Sequence, residues 1–271
     1  MLKNSIISVI VCLTIGAAVS FVLSACGMAG QDSSKGTVTT VASQSGSKTA
    51  DQKETFVEKR DSFSYHGEEL HYLLILPGGY SLTADKWPMI LFLHGGSGRG
   101  RNLDMVKSYG PPWLAEEQSD FPFVVLAPQC PEQEYWTTKA DLLAALLDDI
   151  SQKYRIDRQR VYLTGTSMGG NGTWELASRH PEYFAAAAPM AANPTLPGVW
   201  PERLVTLPIW AFHGDQDDVC PLKSDEAMIE ALRARGATPR FTVLSGEGHY
   251  IGGVYKNREL YDWFLAHTRR P

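Results

Sequence analysis

Making a serine into a nucleophile takes three groups: the hydroxyl, an imidazole to take its proton, and a carboxylate to orient the imidazole. The sequence offers a place for each. The strand-like run Arg160-Val161-Tyr162-Leu163 leads into Thr164-Gly165-Thr166-Ser167-Met168-Gly169-Gly170, and an apolar helix then extends to His180 and Pro181. This is G-x-S-x-G between a strand and a helix, a strained turn that lifts the serine hydroxyl off a sheet. Gly165 and Gly169 fall where a Cβ would collide with the turn or the neighbouring strand. The competing structural role, Ser167 as a plain helix cap, uses the same turn. The pentapeptide therefore counts only together with its partners.

Seven histidines are available as the base. His66 and His71 fall in the first strands, and His180 and His267 end surface helices. His94 and His213 sit in His-Gly pairs at strand ends, a position that suits a satisfied turn ring. His249 follows the last strand in Ser245-Gly246-Glu247-Gly248-His249-Tyr250, at the sheet edge where open α/β folds build their sites. It is the candidate base. The acid belongs between serine and histidine, where Phe212-His213-Gly214-Asp215-Gln216-Asp217-Asp218-Val219-Cys220-Pro221 offers three aspartates. Neighbouring side chains of an extended segment point to opposite sides, so Asp217 and Asp218 cannot both face the ring. A developing oxyanion needs N–H donors. The stretch Phe92-Leu93-His94-Gly95-Gly96-Ser97-Gly98 supplies one, from Gly96 or Ser97, to act with the N–H of Met168.

These residues need a scaffold, and the hydrophobic pattern describes one. Short apolar runs ended by Pro, Gly or polar residues recur at 71–76, 89–93, 123–127, 160–163, 184–188, 209–212 and 240–244. Runs of that length read as strands buried on both faces. Between them, Ala140 to Tyr154 places Leu142, Leu143, Leu146, Leu147 and Ile150 on one helical face. Segments 223–235 and 257–267 behave alike. Alternating strands and helices imply an α/β fold, a mostly parallel sheet flanked by helices. The spacing after the aspartate loop leaves no room there for a large cap domain.

The N-terminus follows another logic. A short start carrying Lys3 precedes the run Ile6 to Leu23, apolar apart from Ser8, Thr14 and Ser20, and ending in Leu23-Ser24-Ala25-Cys26. A positive start, an apolar stretch and small residues before a cut site describe an export signal. The last four residues resemble the bacterial lipobox. That resemblance implies a signal peptide over 1–25, a lipid on Cys26 and an exported lipoprotein, membrane-anchored on the extracytoplasmic side. Residues 27–55 contain no aromatic and are rich in Ser, Thr, Gly and Ala, a composition that cannot offset its ordering entropy. They are expected to form a flexible tether with a reach of roughly 30 Å, ahead of a catalytic domain over 56–271.

Composition narrows the partners. The chain has 271 residues, is 44% hydrophobic and carries a net charge of −5. It can bury a sizeable core and lacks the basic balance of nucleic-acid binders. No Cys/His cluster has metal-ligand spacing, so neither a metal nor a cofactor is implied. Of four cysteines, Cys130 and Cys220 fall in the globular part.

Taken together, these motifs resemble the α/β-hydrolase superfamily, in which serine, acid and histidine occur in this order. The resemblance covers roughly 56–271. Within it, Leu93-His94-Gly95-Gly96-Ser97-Gly98, Ala127-Pro128-Gln129-Cys130-Pro131, 161–170, His213-Gly214 and Gly248-His249 look like the carboxylesterases of the phospholipase/carboxylesterase and prolyl-oligopeptidase-like group, near polyhydroxybutyrate-depolymerase-like and feruloyl esterases. The resemblance implies Ser167 as nucleophile, His249 as base, Asp217 as orienting acid through a His-Gly-x-x-Asp spacing, and Gly96 with Met168 as oxyanion donors. It implies ester hydrolysis of a small-molecule or polymer-derived substrate. A peptidase of the same group and a non-catalytic binding lipoprotein are the alternatives. The usual strand order sets the strands before Cys130 and Cys220 about four positions apart, near 19 Å at ~4.8 Å per strand, so both are expected to be free thiols. Tyr109, Trp113, Trp136 and Trp200 fall in loops at the site edge. Trp136, Trp200 and Tyr250 are the candidates to line a substrate pocket.

Overall fold

The computed structural model describes residues 56–194 and 200–269. The expected signal, Cys26 and the tether lie outside them. Eight strands form one sheet: β1 (Val57–Tyr65), β2 (Glu68–Leu76), β3 (Trp87–Leu93), β4 (Val124–Gln129), β5 (Ile156–Thr166), β6 (Ala186–Met190), β7 (Trp210–Gly214) and β8 (Arg240–Leu244). Their order is β1-β2-β4-β3-β5-β6-β7-β8. The β1–β2 and β2–β4 pairings are antiparallel, and every pairing from β4 through β3 to β8 is parallel.

Among the described residues, six α-helices accompany the sheet: α1 (Gly110–Glu117), α2 (Ala140–Lys153), α3 (Met168–Arg179), α4 (Trp200–Leu204), α5 (Leu222–Arg233) and α6 (Arg258–Leu265). Alternation along the strands splits the core in two. Met89, Leu91 and Leu93 face α2, α3 and α5, whereas Ile90 and Phe92 face α1 and α6. This is the expected α/β-hydrolase architecture, and the described residues include no large cap.

Two expectations need correction. His66 is not in a strand: it and Gly67 have φ of 51° and 84° and form the two-residue turn between β1 and β2, where positive φ matches strand twist. The strand β1 itself escapes the apolar-run reading, because VEKRDSFSY is an edge strand with charged residues toward solvent. Other strands shift by a few residues, β6 to 186–190 and β5 to 156–166.

Candidate functional site

The parallel strands all end at one edge, and the candidate residues collect there. Ser167 lies between β5 and α3 with φ 59° and ψ −119°, a conformation an L-residue holds only when its surroundings enforce it. Its N–H donates to the Met190 carbonyl at 2.9 Å, and its own carbonyl accepts from Asn171 N–H at 3.0 Å. The flanking glycines make the turn possible. A Cβ on Gly165 would stand 2.5 Å from the Gly169 carbonyl oxygen, and one on Gly169 would stand 1.8 Å from that of Leu93.

From this elbow the Ser167 hydroxyl donates to His249 Nε2 at 2.8 Å, and His249 Nδ1–H donates to Asp217 Oδ2 at 2.8 Å. His249 is 9% exposed, so the ring is largely shielded from solvent. Asp217 Oδ1 accepts from the N–H groups of Val219 and Cys220 at 2.9 and 2.8 Å. Burial raises the Asp217 pKa, but the His249 bond and those two N–H groups outweigh it and hold the carboxyl below its ordinary value. The arrangement fixes one tautomer of His249: proton on Nδ1, lone pair toward the serine.

Of the three aspartates, Asp217 alone meets the ring. Asp215 turns away and accepts from Gly246 N–H at 2.7 Å, and Asp218 is exposed. Residues 215–220 form turns and bends rather than an extended segment, so parity does not select the acid: Asp215, with the parity of Asp217, points elsewhere.

On the oxyanion side, the Gly95 N–H is already used, donating to the Tyr109 hydroxyl at 2.7 Å. A Cβ on Gly95 would lie 3.7 Å from that of Ser167, so this loop runs directly beside Ser167. The Gly96 and Met168 N–H groups make no hydrogen bond within the described residues. They remain available to a ligand, as does that of Ser97.

Trp136 is a correction. It is 0% exposed and donates from Nε1 to the His94 carbonyl at 2.9 Å, with its ring edge-on to that of His94. It braces the His94–Gly98 loop from beneath and cannot touch a substrate. Tyr250 is 92% exposed beside His249. Trp200 begins α4, and its side chain lies outside the described residues. Trp113 packs against the core under Lys256.

His94 and His213 are both fully buried at strand ends, His94 just past β3 and His213 within β7. His94 Nε2 accepts from Cys130 N–H at 3.0 Å while Nδ1–H donates to the Gly95 carbonyl at 2.6 Å; burial pushes its pKa down to about 4. Cys130 and Cys220 are free and buried, and burial raises their pKa values to about 12 and about 11. Their strands, β4 and β7, stand four places apart in the sheet. No group of three or more His, Cys, Asp or Glu among the described residues is placed to hold a metal ion.

Two contributors are not read from the sequence. Tyr109 reads there as a loop aromatic at the site edge without a named partner, whereas its hydroxyl accepts from Gly95 N–H and anchors the glycine-rich loop. Asp225 goes unnoticed, although it carries a signal: it occupies the apolar stripe of α5 with Met228, Ile229 and Leu232, and an acid on a buried face requires a partner.

Known proteins share this geometry's setting. The model of the dienelactone hydrolase family matches residues 122–253. A bifunctional acetylxylan esterase/xylanase of Neocallimastix patriciarum is 28% identical over 193 residues, 68% of this chain and 27% of that protein. A cutinase of Thermobifida alba is 33% identical over 152 residues, 48% of this chain and 49% of its own. Among solved structures, a thermostable esterase superposes with a TM-score of 0.69 at 29% identity, covering 78% of this chain and 63% of that one. A feruloyl esterase module from Clostridium thermocellum gives a TM-score of 0.64 at 17% identity, covering 79% and 88%. The chain thus spans about a quarter of the xylanase and half of the cutinase.

Proposed function

Because the chain belongs to the α/β-hydrolase superfamily, we propose that it is a serine carboxylesterase that works through an acyl-enzyme on Ser167. The observation that carries this reading is the unbroken run Ser167 Oγ–His249 Nε2 and His249 Nδ1–Asp217 Oδ2, both at 2.8 Å. His249 takes the hydroxyl proton as Oγ attacks the ester carbonyl. The negative oxygen that forms turns toward the N–H groups of Gly96 and Met168. Collapse expels the alcohol, which receives the proton from His249. Water then repeats the sequence on the acyl-Ser167 ester, releasing the acid and restoring the serine. Every proton travels through His249 Nε2, and Asp217 keeps the ring in the one tautomer that can accept it.

Substrate range is tested by incubating the domain from residue 56 onward with p-nitrophenyl acetate, a long-chain ester, methyl ferulate and a peptide anilide. Hydrolysis of an ester that disappears in Ser167→Ala is the expected result. Turnover of the anilide alone, or of nothing, overturns the reading. The nearly fully exposed Tyr250 beside His249 favours a broad or polymeric alcohol portion over a small enclosed one.

The same proposal places the enzyme outside the cytoplasm, with Cys26 lipidated. No helix among the described residues is long and apolar enough to cross a membrane. Mass spectrometry of the mature N-terminus should find a diacylated cysteine at 26, and an unmodified terminus elsewhere refutes it.

A further inference from the structure

Behind Asp217 lies a second histidine–aspartate pair that the reaction above does not use. His213, near the end of β7, is fully buried. Its Nδ1 is 2.7 Å from Asp225 Oδ2, and its Nε2 is 3.0 Å from the Cys220 carbonyl oxygen. The same Nε2 lies 3.3 Å from Asp217 Oδ2, the oxygen that His249 Nδ1 meets at 2.8 Å. Asp225 is anchored in turn: Oδ1 accepts from Trp174 Nε1–H of α3 at 2.9 Å and Oδ2 from Ala192 N–H at 3.2 Å. The titratable groups facing His213 are therefore Asp225 from α5 and Asp217 from the loop after β7. Among the described residues, no lysine or arginine pairs with either carboxylate.

The protons follow from the partners. A carbonyl oxygen can only accept, so His213 Nε2 keeps its hydrogen at every pH. A carboxylate already receiving two other N–H groups faces Nδ1, which favours a second ring proton. Burial works against charge on both partners and raises the Asp225 pKa despite its bonds from His213, Trp174 and Ala192; at His213 the Asp225 bond and the Cys220 carbonyl outweigh burial and raise the pKa.

We propose that His213, held as an imidazolium by Asp225, is a positioning residue for ester hydrolysis: it fixes Asp217 from behind and limits how strongly Asp217 draws a proton onto His249. The inference rests on the reading of Ser167, His249 and Asp217 as the reacting set. The buried row Asp225, His213, Asp217 alternates in sign, with the positive ring nearer Asp217 than the balancing Asp225 is. With His213 neutral, Asp217 has only His249 to pair with, and protonated His249 gains. A base that keeps its proton cannot take one from Ser167.

Ring-resolved NMR tests this on the wild type and on two variants. Asp225→Asn takes away the charge that holds the second ring proton and leaves the Nε2–H in place. His213→Gln keeps an amide N–H near the Nε2 position and carries no charge at any pH. Wild-type His213 is expected to show both ring N–H protons at pH 7. The His249 titration midpoint should rise by roughly half a unit to one unit in each variant, and the acid limb of kcat/KM should move with it. A single ring proton on wild-type His213, or an unmoved His249 midpoint in a folded variant, overturns the proposal; a merely structural His213 lowers stability and leaves that midpoint in place. The first measurement needs no variant, and neither NMR readout needs turnover. A wild type inactive on every ester therefore overturns the proposed function separately.

Discussion

Gly169 and Leu93 approach so closely that a methyl group on the glycine would stand 1.8 Å from the leucine carbonyl oxygen. This contact pins the start of α3 against the end of β3, and with it the distance between the Ser167 turn and the His94–Gly98 loop. Backbone sits on both sides of the gap, so no side chain can move aside. Gly169→Ala should destabilise the fold by about 3 kcal/mol or more. Gly253→Ala, where a Cβ meets nothing within 4 Å, should stay within about 0.5 kcal/mol of wild type. Urea unfolding of the two variants checks the contrast, and equal midpoints would mean that the close approach is not real.

Strain at Ser167 gives a second measurement. Ser167→Ala and Ser167→Gly both lose the hydroxyl, and both should lower ester turnover by at least about a thousandfold. They differ only in holding φ 59° with or without a Cβ. Such strain is worth about 1–3 kcal/mol, more than the ~0.5–1 kcal/mol that glycine costs by freeing the unfolded chain. The glycine variant should be the more stable by about 1 kcal/mol. An alanine variant equal or superior in stability contradicts a strained turn.

The aspartate loop separates three neighbours by role. Asp217→Asn removes the acceptor that sets the His249 tautomer, and turnover should fall by about 10³–10⁴-fold. Asp215→Asn disturbs only the bond to Gly246 N–H and Asp218→Asn a solvated acid, so each should keep turnover within about tenfold. An inactive Asp218→Asn would mean that the loop presents residue 218, not 217, to the ring.

Acid stability should carry the mark of His94. As pH falls through 6.5 the unfolded chain binds a proton at this ring, while the buried native ring resists until about 4. Protons then favour the unfolded state, and stability should drop by as much as about 3 kcal/mol across that window. Asp217 acts lower: its depressed native pKa preserves a stabilising contribution that disappears only as pH falls through that native value. The loss between pH 7 and 4.5, followed by urea midpoints, should be smaller in His94→Gln. A wild type equally stable at both ends would show that His94 is not held neutral.

Much of this protein was legible in its sequence because the signals are local. Buried parallel strands need unbroken apolar runs, and amphipathic helices need their 3.6-residue stripe. The strained turn at Ser167 needs Gly165 and Gly169 at fixed offsets. Chain order and loop placement then singled out His249 among seven histidines, and strand order kept Cys130 and Cys220 apart. What the tertiary structure decided are the pairings across long separations. Ser167 and His249 meet over 82 residues, and His249 and Asp217 over 32. Which aspartate the ring faces depends on the loop's path, to which residue type is blind. Trp136 reads as a pocket aromatic until its burial beneath His94 is seen. Tyr109 joins Gly95, and Asp225 joins His213, through hydrogen bonds whose partners lie on other elements. A sequence encodes which face of an element is apolar; which polar group stands opposite a buried one is settled only when the elements pack.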